Sequence, residues 1–220
     1  MKIDLPDSPD AVPVTKILCI GRNYVKHAAE MKSDVPDEPM VFLKPPSALI
    51  RDGEAVALPS QSTDVHHEVE LVAVIGEGGK NIPQEEALGH VAAYAVGLDM
   101  TARDVQQAAK DRRHPWSVAK GFDTFAPLGP LTSAAKIADP QDLQIQVSVN
   151  GAVRQHGHTR DMVFSVAHLV AYCSQIFTLT PGDLLYTGTP DGVGPVEDGD
   201  ALEATVSGLE PLRVRVRHEE

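Results

Sequence analysis

The sequence predicts an α+β fold with mostly antiparallel or mixed β-sheets. Predicted strands outnumber predicted helices, and the two kinds of element do not alternate regularly along the chain. The chain has 220 residues and shows no repeat, low-complexity tract or linker, which indicates one large domain. We therefore expect a Pro- and Asp-rich lead-in over residues 1–15 and a single catalytic domain over residues 16–220.

The elements of the first half follow from local composition. Branched apolar runs predict strands, and helix-forming segments such as RNYVKHAAEM predict helices. Pro45 and Pro46 end a strand because proline cannot donate to a β-ladder, and Thr101 with Asp104 has a capping-box pattern. In chain order the elements are strand 16–21, helix 22–31, loop 33–39, strand 40–49, a turn and strand over 52–59, strand 67–76, helix 83–91, strand 92–100 and helix 101–113.

The second half is predicted to be richer in strands. Residues 143–157 alternate in polarity, and Asn150-Gly151 within them is a strong signal for a two-residue hairpin turn. Residues 161–177 have the apolar spacing of a helix. Three segments separated by glycine and proline, LLYTG, DALEATVSG and PLRVRVRHE, predict a β-rich C-terminal part.

Composition and charge exclude several functions. The formal net charge is -12 and Arg112-Arg113 is the only basic run, so neither nucleic acid nor an anionic membrane surface is an expected partner. No secretory signal and no apolar run of membrane-spanning length is visible.

Cys19 and Cys173 lie in apolar surroundings far apart in sequence, as buried, reduced thiols do. We expect a cytoplasmic protein.

Two glutamates interrupt an otherwise apolar strand. In HHEVELVAVIG, residues 66–76, side-chain alternation puts Glu68 and Glu70 on the face that Val72 and Val74 continue. A solvated edge strand would explain them. A bound divalent cation would also explain them, because it makes adjacent buried carboxylates favourable. Asp99, at the end of an apolar strand, is the best candidate for a third ligand, although it could instead start the following helix.

The chemistry of these side chains predicts the kind of metal and a nearby base. Carboxylates without a Cys or His pair at ligand spacing suit Mg²⁺ or Mn²⁺, ahead of Ca²⁺, and no HExxH pattern supports a zinc protease. His27 and Glu30 are spaced i, i+3, so they share one helical face. They could be a surface pair, or a glutamate that orients an imidazole base.

Six segments occur in a fixed order along the chain: GRNYVKHAAEM, EPMVFLKPPSALI, HHEVELVAVIG, GLDMTARDVQ, PWSVAKGFDTFAPLGP and LLYTGTPDGVGP. Together they resemble the fumarylacetoacetate hydrolase family, specifically its short, single-domain acylpyruvase-like branch. The resemblance covers roughly residues 16–213. It implies a β-rich mixed sheet roll around a metal centre and a homodimer.

The resemblance also implies roles for individual residues. Thr189 corresponds to the threonine that binds the substrate carboxylate, and Lys120 to an active-site lysine. The implied set is the metal ligands Glu68, Glu70 and Asp99, the catalytic residues His27, Glu30 and Lys120, and the substrate-binding residues Arg103, Gln106 and Thr189. Residues 22–38 are expected to be mobile without substrate and to close as a lid.

The implied activity is Mg²⁺- or Mn²⁺-dependent cleavage of the C–C bond of a 2,4-dioxo acid, such as fumarylpyruvate or acetylpyruvate. Its substrate would be a small 2-oxo acid, and its products pyruvate and a carboxylic acid. Decarboxylation of oxaloacetate, or its keto–enol tautomerisation, could use the same metal centre without an attacking water. A non-catalytic binding protein with this fold is disfavoured because the full set of implied residues is present.

Overall fold

The computed structural model describes residues 1–6, 8–31 and 34–219, which form mixed β-sheets and short helices. The helices are α1 (Val25–Glu30), α2 (Arg103–Asp111), α3 (Ser117–Lys120) and α4 (Val166–Ile176), with 3₁₀ turns at Pro46–Ala48, Ala87–His90, Ala134–Lys136 and Thr159–Asp161. The strands are β1 (Lys2–Ile3), β2 (Val12–Pro13), β3 (Ile17–Gly21), β4 (Met40–Lys44), β5 (Leu49–Arg51), β6 (Ala55–Leu58), β7 (Val65–His67), β8 (Val69–Ile75), β9 (Val91–Leu98), β10 (Thr101–Ala102), β11 (Ala126–Leu128), β12 (Thr132–Ser133), β13 (Gln144–Val149), β14 (Ala152–His158), β15 (Leu184–Tyr186), β16 (Gly194–Pro195), β17 (Ala201–Val206) and β18 (Leu212–His218). The predicted α+β class is confirmed.

An eight-stranded mixed sheet forms the centre of the fold. Its strand order is β4-β3-β15-β8-β9-β11-β5, with β12 also paired to β9. The β3–β15 and β5–β11 pairs are parallel, and the others are antiparallel. β8 is buried on both faces: Leu71 and Ala73 belong to one apolar cluster, Val72 and Val74 to the other. This burial matches the apolar composition of the strand, which suits a central position.

A second sheet of five strands has the order β14-β13-β17-β18-β6. The β13–β14 hairpin turns at Asn150 and Gly151, whose φ angles of 52° and 79° are those of the predicted tight turn. Apolar side chains of this sheet, including Val147 and Leu202, join Leu71 in one core cluster. Both cysteines are buried and unbonded, as expected. None of the helices in the described ranges is long and apolar enough to cross a membrane.

The predicted strand over 67–76 is in fact two strands in different sheets. β7 ends at His67 and belongs to a three-stranded sheet with β10 and β16, whereas β8 starts at Val69 in the central sheet. Glu68 lies between them, and its carbonyl accepts a hydrogen bond from the Asp99 amide at 2.8 Å. This hydrogen bond therefore holds Glu68 beside Asp99, although Glu68 belongs to neither strand.

Three helix predictions need correction. Over 83–91 only the short 3₁₀ turn Ala87–His90 forms. The helix expected at residue 101 begins at Arg103 without a capping box: the Thr101 hydroxyl donates to the Asp99 carbonyl, and Asp104 accepts from Ser62. The helix expected at 161 begins at Val166, where the Ser165 hydroxyl accepts from the His168 amide as an N-cap.

Candidate metal centre and active site

Three buried carboxylates converge at one end of the β8–β9 pair. Glu70 lies in β8 opposite Gly97, Glu68 immediately precedes β8, and Asp99 immediately follows β9. Their ligand atoms lie within 4.8 Å of one another, and each residue is at most 4% exposed. This all-oxygen, buried set fits a divalent cation such as Mg²⁺ or Mn²⁺.

Basic side chains neutralise two of the three carboxylates. Lys120 Nζ lies 2.7 Å from Glu68 Oε2 and 2.6 Å from Asp99 Oδ2, and Lys44 Nζ lies 2.7 Å from Asp99 Oδ1. Arg103 Nη2 lies 2.5 Å from Glu68 Oε1. Burial acts to raise the pKa of Glu68, but Lys120 and Arg103 outweigh it and hold that pKa well below its ordinary value.

Glu70 is the carboxylate that lacks a cationic partner among the described residues. Its Oε2 accepts the Gly188 amide at 2.7 Å. Burial, followed by the nearby charges of Asp99 and Glu68, raises the pKa of Glu70 well above its ordinary value. A bound cation would supply the positive charge that this buried carboxylate lacks beside the two others. The residues present therefore fit such an ion.

A histidine from α1 faces the same cleft. His27 is buried, and its Nδ1 lies 3.4 Å from Glu30 Oε2, which is long for a hydrogen bond. The Glu30 carboxylate also accepts the Gly192 amide at 3.2 Å, so it is held from both sides. Burial lowers the pKa of His27 against the opposing effect of Glu68 and Glu30. The neutral imidazole, which is the basic form, therefore predominates at neutral pH.

The remaining predicted residues lie on α2, on α3 and after β15. Arg103 Nη1 donates to Gln106 Oε1 at 2.8 Å, and Gln106 is buried. The Thr189 hydroxyl donates to the Val69 carbonyl and accepts from Gln155 Nε2, both at 2.8 Å. Eight of the nine sequence-predicted residues line one cleft of about 410 Å³, its open mouth included. The ninth, Glu30, contacts it through His27.

Within the predicted lid, Val25–Glu30 form α1, which brings His27 into the cleft. Lys32 and Ser33, which belong to the same segment, lie outside the described residues. Mobility of this segment stays a prediction.

Two residues of the site were not found from the sequence. Lys44 ends the apolar strand MVFLK and is 2% exposed, so the reasoning applied to Asp99 would have found it. Gln155 is 1% exposed, and both ends of its side-chain amide form hydrogen bonds. Its Oε1 accepts from the Val69 amide and lies 2.9 Å from His67 Nδ1. Its Nε2 donates to the Thr189 hydroxyl and the Pro190 carbonyl. No local signal separates Gln155 from other polar residues of a hairpin.

Comparisons with known proteins identify the family of this chain. The family model described as fumarylacetoacetate (FAA) hydrolase C-terminal matches residues 16–217. A structure of fumarylpyruvate hydrolase from Pseudomonas aeruginosa in complex with Mn²⁺ and pyruvate is 43% identical, with a TM-score of 0.94 over 100% of this chain and 96% of that one.

Other similar proteins are named for reactions of oxaloacetate. Mitochondrial oxaloacetate tautomerase of Arabidopsis thaliana is 45% identical over 202 residues, which are 92% of this chain and 91% of the relative. Mitochondrial oxaloacetate decarboxylase of Dictyostelium discoideum is 44% identical over 196 residues, which are 89% and 90% of the two chains. The predicted β-rich mixed sheet roll and the resemblance are thereby confirmed: the chain belongs to the fumarylacetoacetate hydrolase family.

Proposed function

We propose that this protein is a Mg²⁺- or Mn²⁺-dependent hydrolase that cleaves the C–C bond of an acylpyruvate, a 2,4-dioxo acid such as fumarylpyruvate or acetylpyruvate. The observation that carries the proposal is the His27–Glu30 pair, which faces the Glu68, Glu70 and Asp99 cluster across one buried cleft. Metal-assisted loss of CO₂ from oxaloacetate would not require such a base. The Mn²⁺ and pyruvate of the fumarylpyruvate hydrolase structure support the proposal.

The three carboxylates would hold the cation, which supplies positive charge beside the 2-oxo acid group when bound. Lys120 lies within the same cluster, and the charges of Asp99 and Glu68 raise its pKa against the lowering effect of burial. Its ammonium group would therefore remain charged and stabilise negative charge that develops on the substrate. Arg103, Gln106 and Thr189 would orient the substrate.

His27 is the proposed general base. It would take a proton from a water whose oxygen bonds to the distal carbonyl carbon of the substrate. The bond from that carbon to the adjacent CH₂ group then breaks, and its electron pair goes to the enolate of pyruvate, which takes up a proton. Glu30 would orient the imidazole and stabilise its protonated form. General-base assistance of this kind contributes roughly 10²–10⁴ in rate.

Oxaloacetate decarboxylation or tautomerisation is the second candidate. The identity to the Arabidopsis thaliana tautomerase and the Dictyostelium discoideum decarboxylase favours it. In both reactions the cation and Lys120 would stabilise the negative charge that develops on the substrate, and neither reaction consumes an attacking water.

A substrate panel separates the two candidates. Acetylpyruvate, fumarylpyruvate, maleylpyruvate and oxaloacetate are each incubated with Mg²⁺ and with Mn²⁺, and pyruvate, CO₂ and proton release are measured. We expect one pyruvate and one carboxylic acid per acylpyruvate, at a kcat/KM at least tenfold above that for any reaction of oxaloacetate. Turnover of oxaloacetate alone would reverse the assignment.

We also propose a cytoplasmic homodimer. β4 is an edge strand of the central sheet, and Leu43 on it is 44% exposed although it is apolar. The buried free thiols of Cys19 and Cys173 support a reducing compartment. Sedimentation equilibrium should give about twice the chain mass of 23.6 kDa, and Leu43→Lys should shift it toward one chain. A wild-type monomer at micromolar concentration would contradict the dimer.

A further inference from the structure

Two basic side chains line the cleft without a role in the proposed reaction. Arg22 follows β3 and Lys110 lies near the end of α2, and both are partly buried at the same cleft as His27 and Glu68. Neither side chain forms an ion pair or a hydrogen bond with any other side chain in the described part of the chain. Partly buried cations without a counter-charge are unfavourable unless a ligand supplies that charge.

The carboxylate cluster and its ion-pair partners offer no surplus of negative charge for these two cations. Three carboxylates are matched by three basic side chains, the acids being Glu68, Glu70 and Asp99 and the bases Lys44, Lys120 and Arg103. A divalent cation in the carboxylate cluster would add further positive charge. The complete cleft therefore suits a ligand with more than one negative charge.

Arg22 is held in an uncommon backbone conformation. Its φ angle of 60° lies in the left-handed region, which disfavours a residue with a β-carbon. The next residue, Asn23, is fixed by three side-chain hydrogen bonds: Nδ2 donates to the Thr187 and Phe164 carbonyls at 2.8 and 3.0 Å, and Oδ1 accepts the Phe164 amide at 2.7 Å. A strained arginine kept beside a fixed anchor at a cleft points to a function for its side chain.

Lys110 lies on the face of α2 that carries the predicted substrate residues. It is four residues after Gln106 and seven after Arg103, a spacing that puts all three on one side of the helix. Its Nζ lies 5.5 Å from the centroid of the Trp116 ring, which also lines the cleft. Burial, and then the charges of Arg103 and Arg22, lower the pKa of Lys110, so the two proposed cations act on each other.

We propose that Arg22 and Lys110 form a subsite for a second carboxylate, at the end of the substrate away from its 2-oxo acid group. The inference rests on the proposed function and adds that, among acylpyruvates, those that carry a distal carboxylate bind more tightly than those that lack one, such as acetylpyruvate. Arginine would bind the carboxylate through its planar guanidinium, and lysine would add a second charge from α2.

Binding of uncleavable ligands tests the subsite without activity. 2-Oxoheptanedioate and 2-oxoheptanoate differ only in the distal carboxylate and lack the 4-oxo group that hydrolysis requires. Titration calorimetry with Mn²⁺ present should show the dicarboxylate binding roughly 10–100-fold more tightly, as expected for charge-assisted hydrogen bonds. Shorter 2-oxo dicarboxylates of five and six carbons show which length reaches the subsite.

Matched variants assign the effect to these side chains. Lys110→Met removes the charge at similar length, and Arg22→Asn removes it with a residue that tolerates the left-handed region. Each should reduce the preference for the dicarboxylate toward one while the binding of 2-oxoheptanoate changes less than threefold. Lys26→Met, at an exposed lysine of α1, is the control and should keep the preference. Unchanged circular dichroism confirms folding of each variant.

The result that overturns the subsite is equal binding of the two seven-carbon ligands by the wild type, or a preference that survives in both charge-removing variants. Either outcome leaves the proposed hydrolase intact, provided that the wild type still cleaves acetylpyruvate. Failure of every 2-oxo acid to bind in the presence of Mn²⁺ would instead contradict the proposed function itself, and the subsite with it.

Discussion

Replacement of Glu70 with glutamine is expected to abolish Mn²⁺ binding and to reduce turnover of an acylpyruvate by roughly 10³-fold or more, because the bound cation contributes several kcal/mol to charge stabilisation. Glutamine keeps the shape of the side chain and an oxygen that can accept the Gly188 amide, which now bonds Glu70 at 2.7 Å. The ion pairs of Lys120 with Glu68 and Asp99 also remain. The loss would therefore report the missing ligand charge.

The same substitution makes a prediction about stability. Glu70 has no cationic partner in the described part of the chain, and its charge opposes those of Glu68 and Asp99. The metal-free Glu70→Gln protein should consequently unfold at the same temperature as the wild type or a higher one. Mn²⁺ should raise the unfolding temperature of the wild type, because it binds the folded wild-type protein. It should not change that of Glu70→Gln, which has lost the metal site.

A chelator and a distant glutamate provide the controls. Excess chelator should abolish wild-type activity, and Mg²⁺ or Mn²⁺ should restore it. Glu77→Ala, at an exposed position beyond the other end of β8, should leave both metal binding and turnover unchanged. Full activity of Glu70→Gln in excess chelator would show that the carboxylate cluster does not bind the functional metal.

The sequence predicts which residues form this cluster better than it predicts how they are arranged in space. Glu70 and Asp99 stand out because each is an acid beside strongly apolar residues, and both are buried in the structure. Side-chain alternation, however, placed Glu68 on the same strand as Glu70. The structure breaks the strand at Glu68, whose position depends on a hydrogen bond to Asp99 across the β8–β9 pair. Contacts between residues this far apart in sequence leave no local pattern.

Non-local hydrogen bonds also explain the wrong start predicted for α2 and the failure to identify Gln155 as a site residue. Asp104 fits a capping box with Thr101 when only neighbouring residues are considered, but it accepts hydrogen bonds from Ser62 and Thr63, some forty residues away. Gln155 sits in a hairpin that was predicted correctly, yet its contact with Thr189 joins β14 to the loop that follows β15. Strand composition and turn chemistry are local, so the hairpin could be predicted and this contact could not.

Replacement of His27 with alanine is expected to affect hydrolysis selectively. It removes the base and leaves the carboxylate cluster, Lys120 and Lys44 in place, since none of their ion pairs involves His27. Hydrolysis of acetylpyruvate should fall by roughly 10²–10⁴, the usual contribution of a general base. The hydrolysis rate of Glu30→Gln should lie between those of the wild type and His27→Ala, because the imidazole remains but loses the carboxylate 3.4 Å away that orients it. His156→Ala, at an exposed histidine of β14, is the control and should change neither reaction.

The most direct test of the account is the ratio of two rates, acetylpyruvate hydrolysis and oxaloacetate decarboxylation, measured at saturating Mg²⁺ in the wild type and in His27→Ala. Water activation by His27 predicts that hydrolysis falls by roughly 10²–10⁴ while loss of CO₂ falls less than about tenfold, since decarboxylation needs the electron sink and no attacking water. Equal losses for both substrates would contradict the role of His27 and Glu30 in water activation, and would favour a decarboxylase or tautomerase.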